Sequence, residues 1–309
     1  MNAGPHIRIL MCTYNGAAFL AEQLESIANQ THSDWSLWVS DDGSSDETLE
    51  ILKHFKRDHP SNAVKILNGP QQGASANYLS LITKQETAAN TLFALSDQDD
   101  VWMQDKLARA VKALSGVEHE CTAYATSQII SDSTLTHHRP GKPCPAGPSF
   151  LNALVQNILS GSTLVLNAKA MHLIQRGMPK TPVPFHDWWI YQIITGAGGT
   201  AIYDPTPSVH YRQHASNLLG GNRGRNAVLR RLKLLGKSNF SDWIDQNVAA
   251  LLDAKPLLTD ENQAILAAFI EARKKPRRIR AAALRKIGIK RQSRKETAAL
   301  LGAATLGRL

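Results

Sequence analysis

The stretch Leu92-Phe93-Ala94-Leu95-Ser96-Asp97-Gln98-Asp99-Asp100-Val101-Trp102 runs directly from apolar to acidic. Its first four residues have strand length and aromatic content, so the three carboxylates project where a strand gives way to a loop. An open α/β sheet keeps its ligands at that place. Like charges this close repel one another in a low-dielectric cleft. Mg²⁺ or Mn²⁺, by contrast, takes one or two carboxylates and fills its remaining positions with water and substrate phosphates. The cluster therefore points to a metal–diphosphate site, the alternative being a solvated acidic turn ahead of a helix that starts near Met103.

The chain on either side of this stretch alternates. Strands are predicted at Ile7 to Cys12, Trp35 to Ser40, Val64 to Leu67 and Thr91 to Leu95. Helices are predicted from Leu20, Leu24 and Ile27, from the stripe Leu49, Leu52 and Phe55, at Ala76 to Lys84 and at Lys106 to Leu114. Ser44 and Glu47 have the spacing of a capping box. Repeated β-α units imply an α/β fold with a mainly parallel sheet and helices on both faces. After Cys121 the pattern loosens, with strands expected at Ala123 to Ile130, Ser162 to Leu166 and Thr200 to Tyr203, and helices at Phe150 to Leu159, Lys169 to Arg176 and Trp188 to Thr195.

Charge divides the chain more sharply than pattern does. Residues 1–219 hold 15 Lys and Arg against 19 Asp and Glu, whereas residues 220–309 hold 20 against 7. A mildly acidic body thus precedes a strongly basic tail, which reads as short amphipathic helices. One stripe is Val228, Leu232 and Leu235, another is Ile265, Phe269 and Ala272, and a third opens at Pro276 with cations opposite Ile279, Ala283 and Ile287. Basic amphipathic helices suit an anionic membrane surface or nucleic acid. The acidic body disfavours nucleic acid as the partner. The three cysteines, 12, 121 and 144, share no metal-ligand spacing and form no disulfide framework, and no run of eighteen apolar residues occurs. These features predict a cytoplasmic protein, peripheral on the inner face of the cytoplasmic membrane if the tail binds lipid.

Further motifs stand at the other strand ends: Cys12-Thr13-Tyr14-Asn15-Gly16 after the first, and Ser40-Asp41-Asp42-Gly43-Ser44-Ser45-Asp46 after the second. Downstream come Gly73 to Tyr78, Ser160-Gly161-Ser162-Thr163, His186-Asp187-Trp188-Trp189 and Tyr211-Arg212-Gln213-His214. In order and spacing this set resembles family 2 glycosyltransferases. The Asp-Gln-Asp-Asp-Val-Trp and His-Asp-Trp-Trp wording is most similar to the bacterial branch with rhamnosyltransferases of O-antigen and other surface polysaccharides. The resemblance spans Ile7 to about Asn222. It implies a GT-A fold over 1–222, with 1–120 binding the nucleotide sugar and 121–222 the acceptor, and it leaves 223–309 as a basic helical tail.

The resemblance also implies a metal-dependent, inverting transfer of a sugar from a dTDP- or UDP-linked donor to a glycan or polyprenyl-linked glycan acceptor. Thr13, Tyr14, Asn15 and Asn77 would line the nucleotide, with Tyr14 stacking on the base unless it is a packed aromatic. Asp41 would accept from the pyrimidine imide N–H, unless Asp42 makes that contact or caps the next helix. Asp97 would face the ribose, or the metal through water, and Asp99 would ligate Mg²⁺ or Mn²⁺. Asp100 would be a third acid or a helix cap. Asp187 would be the general base, the competing reading being an N-cap, and His186 would orient it, contact the acceptor or be structural. Gly161 and Trp188 would border the acceptor. Arg212 would donate to the phosphates and His214 would ligate the metal or contact phosphate. A sugar-nucleotide pyrophosphorylase would need a Gly-rich basic loop where Thr13 to Ala18 stands, and Gly196 to Gly199 follows a helix, unlike a dinucleotide fingerprint. A sugar-nucleotide-binding protein without turnover shares every motif with the transferase.

Overall fold

The computed structural model describes residues 4–214 and 239–309. These fall into two compact units that interleave along the chain. The first comprises 1–142, 159–176 and 199–212, and the second 143–158, 177–198 and 213–309. The chain thus passes between units several times, whereas the sequence suggests one change of role near residue 222.

The first unit contains all the strands among the described residues. In chain order they are β1 (His6–Thr13), β2 (Trp35–Asp41), β3 (Val64–Asn68), β4 (Thr91–Ser96), β5 (Val101–Trp102), β6 (Thr122–Thr126), β7 (Ile129–Ser131), β8 (His138–Pro140), β9 (Val165–Leu166), β10 (Thr200–Asp204) and β11 (Val209–Arg212). A seven-stranded sheet has the order β10-β6-β9-β4-β1-β2-β3. Its pairings are parallel except at β9, which lies antiparallel between β4 and β6. The register sets Thr13 beside Asp41 and Met11 beside Ser96, so β1, β2 and β4 end at one rim. Interleaved with these strands are α1 (Ala17–Ala28), α2 (Thr48–Asp58), α3 (Ala74–Thr83) and α4 (Lys106–Leu114), and α6 (Ala168–Arg176) follows β9. The stripes predicted for α1 and α2 point inward: Leu20, Leu24, Ile27, Leu52 and Phe55 are buried. A smaller sheet, β5-β11-β7-β8, completes the unit.

The second unit is helical. It holds α5 (Phe150–Ala153), α7 (His186–Gly196), α8 (Asn239–Asp253), α9 (Asp260–Lys274), α10 (Arg277–Ile287) and α11 (Arg294–Thr305). Thr259 caps α9 by accepting from the Asn262 amide at 3.2 Å, and the Asn262 side chain donates to the carbonyls of Thr195 and Gly196 at the end of α7. The same carbonyls also take backbone amides, Thr195 that of Gly198 at 3.3 Å and Gly196 that of Thr259 at 3.1 Å, so the open end of α7 is fully satisfied. No helix among the described residues is long and apolar enough to cross a membrane.

Four local expectations are corrected. The helix predicted from Phe150 stops at Ala153, because the Ala153 carbonyl accepts from Trp188 Nε1 at 2.6 Å and Gln192 Nε2 at 3.0 Å. The next helical turn would need that acceptor. The strand expected over Ala123 to Ile130 is two strands, β6 and β7, belonging to different sheets. Ser162 begins no strand: Gly161–Thr163 is a 3-10 turn, after which β9 covers two residues. On α10 the buried residue is Leu284, and Ile279 is 50% exposed. The stripe of Val228, Leu232 and Leu235 lies outside the described residues.

Candidate active site

At the rim, the loops after β1 and β2 hold each other. Asp41 is buried and each of its carboxylate oxygens accepts twice. Oδ1 takes the amides of Gly43 at 3.2 Å and Ser44 at 2.8 Å, and Oδ2 takes the hydroxyls of Thr13 at 2.7 Å and Ser44 at 2.6 Å. Ser44 therefore belongs to this loop, and the capping box with Glu47 does not form. Thr48 instead bonds Asp46, whose carboxylate accepts its amide at 3.1 Å and its hydroxyl at 2.5 Å. Ser44 Oγ also accepts from the Asn15 amide, and Asn15 Oδ1 accepts from the Ser45 amide, both at 2.8 Å. Asn15 has φ +47°, a left-handed conformation that Asn tolerates better than most side chains. This bend leaves Tyr14 58% exposed, which suits a base-stacking ring and excludes the packed-aromatic alternative. Asp42 caps no helix. Its oxygens accept the amides of Gln71 at 2.6 Å and Gly73 at 2.8 Å, fixing the loop that leads into α3.

The acidic motif follows β4 at the same rim. Tyr78 donates to Asp97 Oδ1 at 2.8 Å. Asp97 and Asp99 are partly exposed, and Asp100 is fully buried. Burial, then the Asp99 and Asp97 charges, push the Asp100 carboxyl well above the usual carboxylate range, and the Arg212 amide opposes this. The Tyr78 phenol and Cys12 thiol are raised in the same way, first by burial and then by Asp97. Three groups thus register one concentration of negative charge. The helix-cap reading of Asp100 is corrected, since the N-cap of α4 is Asp105, and Asp100 Oδ1 accepts from the Arg212 amide at 3.1 Å. Asp100 Oδ2 and Ser162 Oγ are both buried, and the Ser162 hydroxyl, like the Arg212 amide, favours the charged form of Asp100.

The donor set fits a hard divalent ion. Two carboxylates on one short loop, in a field that raises neighbouring acids, match what Mg²⁺ or Mn²⁺ takes from protein. Among the described residues no group of three His, Cys, Asp or Glu could hold a metal alone.

Gln98 was missed in the sequence because an amide between acids gives no metal signal. Its Oε1 accepts the Tyr14 amide at 2.9 Å and its Nε2 donates to the Tyr14 carbonyl at 3.0 Å, a two-point clamp joining the acidic loop to the loop after β1. A Cβ on Gly16 would come within 2.2 Å of that amide, so any larger residue there displaces the Gln98 clamp.

Several expected ligand contacts are corrected. Asn77 is buried, donating to the Ser40 carbonyl at 2.8 Å and accepting from Ser40 Oγ at 2.6 Å, so its amide ties α3 to β2. Arg212, 2% exposed, spends its guanidinium inside the protein on the Asp99 carbonyl, the Ser133 carbonyl and the Glu22 carboxylate. Trp188, 3% exposed, donates to Ala153 and stacks 6.3 Å from Phe240, so it packs the helical unit. Gly161 is buried at the head of its 3-10 turn.

Asp187, His186 and His214 belong to the second unit. The N-cap of α7 is Phe185, so Asp187 is not the cap; it stands in the first turn, half-buried, and its Oδ1 accepts from the Trp188 amide at 2.7 Å. Burial lowers the pKa of His186 and the Asp187 charge opposes, which favours a neutral imidazole beside the carboxylate. His214 lies between β11 and the undescribed residues 215–238.

A family profile described as glycosyl transferase family 2 matches residues 8–175. The dTDP-rhamnosyl transferase RfbG of Shigella flexneri is 26% identical over 254 residues, 79% of this chain and 85% of its own length. Two other curated relatives match over only 42% and 36% of their lengths. Among solved structures, Staphylococcus aureus TarS in complex with UDP-GlcNAc superposes with TM-score 0.56 at 13% identity, covering 98% of this chain and 92% of that one. The mannosyltransferase PcManGT of Pyrobaculum calidifontis, in complex with GDP-Man and Mn²⁺, superposes with TM-score 0.55 at 19% identity over 99% and 86%. Both are GT-A glycosyltransferases, and at these identities the likeness concerns the fold.

Proposed function

The chain belongs to glycosyl transferase family 2, and from that premise we propose that it transfers rhamnose, with inversion, from a dTDP- or UDP-linked donor to a glycan or polyprenyl-linked glycan of a bacterial surface polysaccharide. The observation that carries this reading is the shared rim of β1, β2 and β4, where an exposed Tyr14, the Asp41 loop and the acidic motif are bonded together. The rhamnosyl and dTDP assignments are supported by the RfbG relative.

In this reading Tyr14 stacks on the base, and Asp41 receives the pyrimidine imide N–H by exchanging it for the Ser44 hydroxyl. Asp97 faces the ribose, and Asp99 would hold Mg²⁺ or Mn²⁺. Such an ion supplies charge stabilisation to the departing diphosphate, worth several kcal/mol. Asp187 takes the proton of the acceptor hydroxyl as that oxygen attacks the anomeric carbon from the face opposite the diphosphate. The new glycosidic bond forms as the bond to the diphosphate breaks, and the nucleoside diphosphate leaves with that electron pair. A neutral His186 beside Asp187 adds no cation that would weaken the base.

Residues 272–295 contain twelve Lys and Arg and no Asp or Glu. On α10 Arg278, Arg285 and Lys286 are exposed, as is Ile279. Exposed cations with an exposed apolar residue on one helix suit the anionic cytoplasmic leaflet, where a lipid-linked acceptor would lie. Screening dTDP-, UDP-, CDP- and GDP-sugars for thermal stabilisation, with Mn²⁺ and with chelator, tests the donor site. A dTDP- or UDP-sugar that stabilises only with the ion is expected; no stabilisation by either, or no effect of chelator, rejects the proposal.

A further inference from the structure

Arg212 is the most heavily committed buried cation of the first unit, and its contacts converge on the acidic motif. Its Nε donates to the Asp99 carbonyl at 2.9 Å, and its own amide donates to Asp100 Oδ1 at 3.1 Å. Nη1 donates to the Ser133 carbonyl at 2.6 Å in the turn between β7 and β8, and Nη2 pairs with the Glu22 carboxylate on α1. The guanidinium also lies 4.7 Å from the centre of the Phe19 ring. One planar fork thus joins α1, the β7–β8 turn, the end of β11 and the backbone that carries Asp99. Lysine cannot reproduce this geometry, because its three donors share one nitrogen and cannot reach acceptors spread across a guanidinium's three.

We propose that Arg212, braced by Glu22, is a positioning residue that fixes the Asp99 segment before any ligand arrives. The inference rests on the assignment of Asp99 as a metal ligand made above. A carboxylate on a tethered backbone needs less ordering when the ion and diphosphate bind, so the tether lowers the concentration of metal needed. Glu22 serves by holding the guanidinium plane rather than by meeting substrate. Its side chain is 54% exposed, so it can be altered without opening the core.

The test uses the full chain with Arg212→Lys and, as a milder variant that keeps an acceptor, Glu22→Gln. Amide hydrogen exchange without metal or nucleotide should be faster at Asp97 to Val101 in both variants while β1 and β2 exchange as in the wild type. In calorimetry with UDP or dTDP, the Mn²⁺ concentration for half-maximal binding should rise about tenfold in Arg212→Lys and less in Glu22→Gln, the scale of one lost charged hydrogen bond. Binding of the nucleoside alone should be unchanged, an outcome that neither direct phosphate contact nor global loosening produces together with faster local exchange. Unchanged exchange at Asp97 to Val101 in both variants overturns the proposal, as does a Mn²⁺ requirement within twofold of wild type. Wild-type protein whose UDP and dTDP binding ignores Mn²⁺ would reject the metal assignment instead, leaving the exchange result to judge the tether.

Discussion

Replacing Lys106 with Met should change how stability depends on pH. The Lys106 ammonium is 1% exposed, has no hydrogen-bond partner and lies 4.5 Å from the centre of the Trp102 ring. Burial lowers its pKa from 10.5 to about 7; the Asp100 charge opposes this and the Arg109 charge adds to it. Below pH 7 folded and unfolded chains both carry the proton, and the folded state bears the full cost of the buried charge. Between about 7 and 10.5 the unfolded chain binds more protons than the folded one, so this group makes stability rise with pH, and above that range its cost is gone. Between pH 7 and 9 the linkage amounts to roughly 1.7 pKa units, or about 2 kcal/mol. Met keeps an unbranched stem to pack on Trp102 and has no proton to exchange. Urea unfolding of both proteins at the two pH values gives the difference directly. The variant's advantage should shrink by about 2 kcal/mol from pH 7 to 9; two parallel stability curves would refute the argument.

Two further outcomes are expected. Asp187→Asn should lower turnover by about 10² to 10⁴ while donor affinity survives, because a general base acts on the acceptor's proton and not on the nucleotide; turnover near wild type rejects Asp187 as the base. Changing Arg278, Arg285 and Lys286 together to Glu should abolish co-sedimentation with phosphatidylglycerol vesicles, at about 1 kcal/mol for each cation removed, and leave transfer to a short soluble acceptor intact; vesicle binding equal to wild type removes the membrane assignment.

The N-terminal half of the fold was legible because its signals are local. Four apolar runs of strand length alternate with amphipathic stretches, and each run became a parallel strand of the main sheet with ends shifted by a residue or two. Past Cys121 the deciding interactions are distant in sequence, and periodicity does not register them. The helix from Phe150 fails because Trp188 and Gln192 take the Ala153 carbonyl from more than thirty residues away. The strands of the smaller sheet are two to four residues long, too short for alternation to show. Ile279 misled because the apolar residues of α10 do not all share one face, and Leu284 won the interior.

The site divides along the same line. Tyr14 stands exposed and Asp97 and Asp99 partly exposed at the rim, the places the strand-end motifs predict for them. Asn77, Arg212 and Trp188 come from equally suggestive motifs, yet each hydrogen-bonds within the protein. A motif marks residues that a rim needs, and it does not distinguish those that meet the substrate from those that hold the rim in shape. For Asn77 and Arg212 burial makes that distinction. At 2% exposure an arginine must find acceptors within the fold, since a desolvated guanidinium left for an absent phosphate would cost several kcal/mol in every molecule waiting for substrate. Ser44 and Gln98 follow from the same requirement: a loop that must present Tyr14 and Asp99 without collapsing needs its own backbone groups satisfied by polar side chains. Such side chains carry no catalytic signature in a sequence.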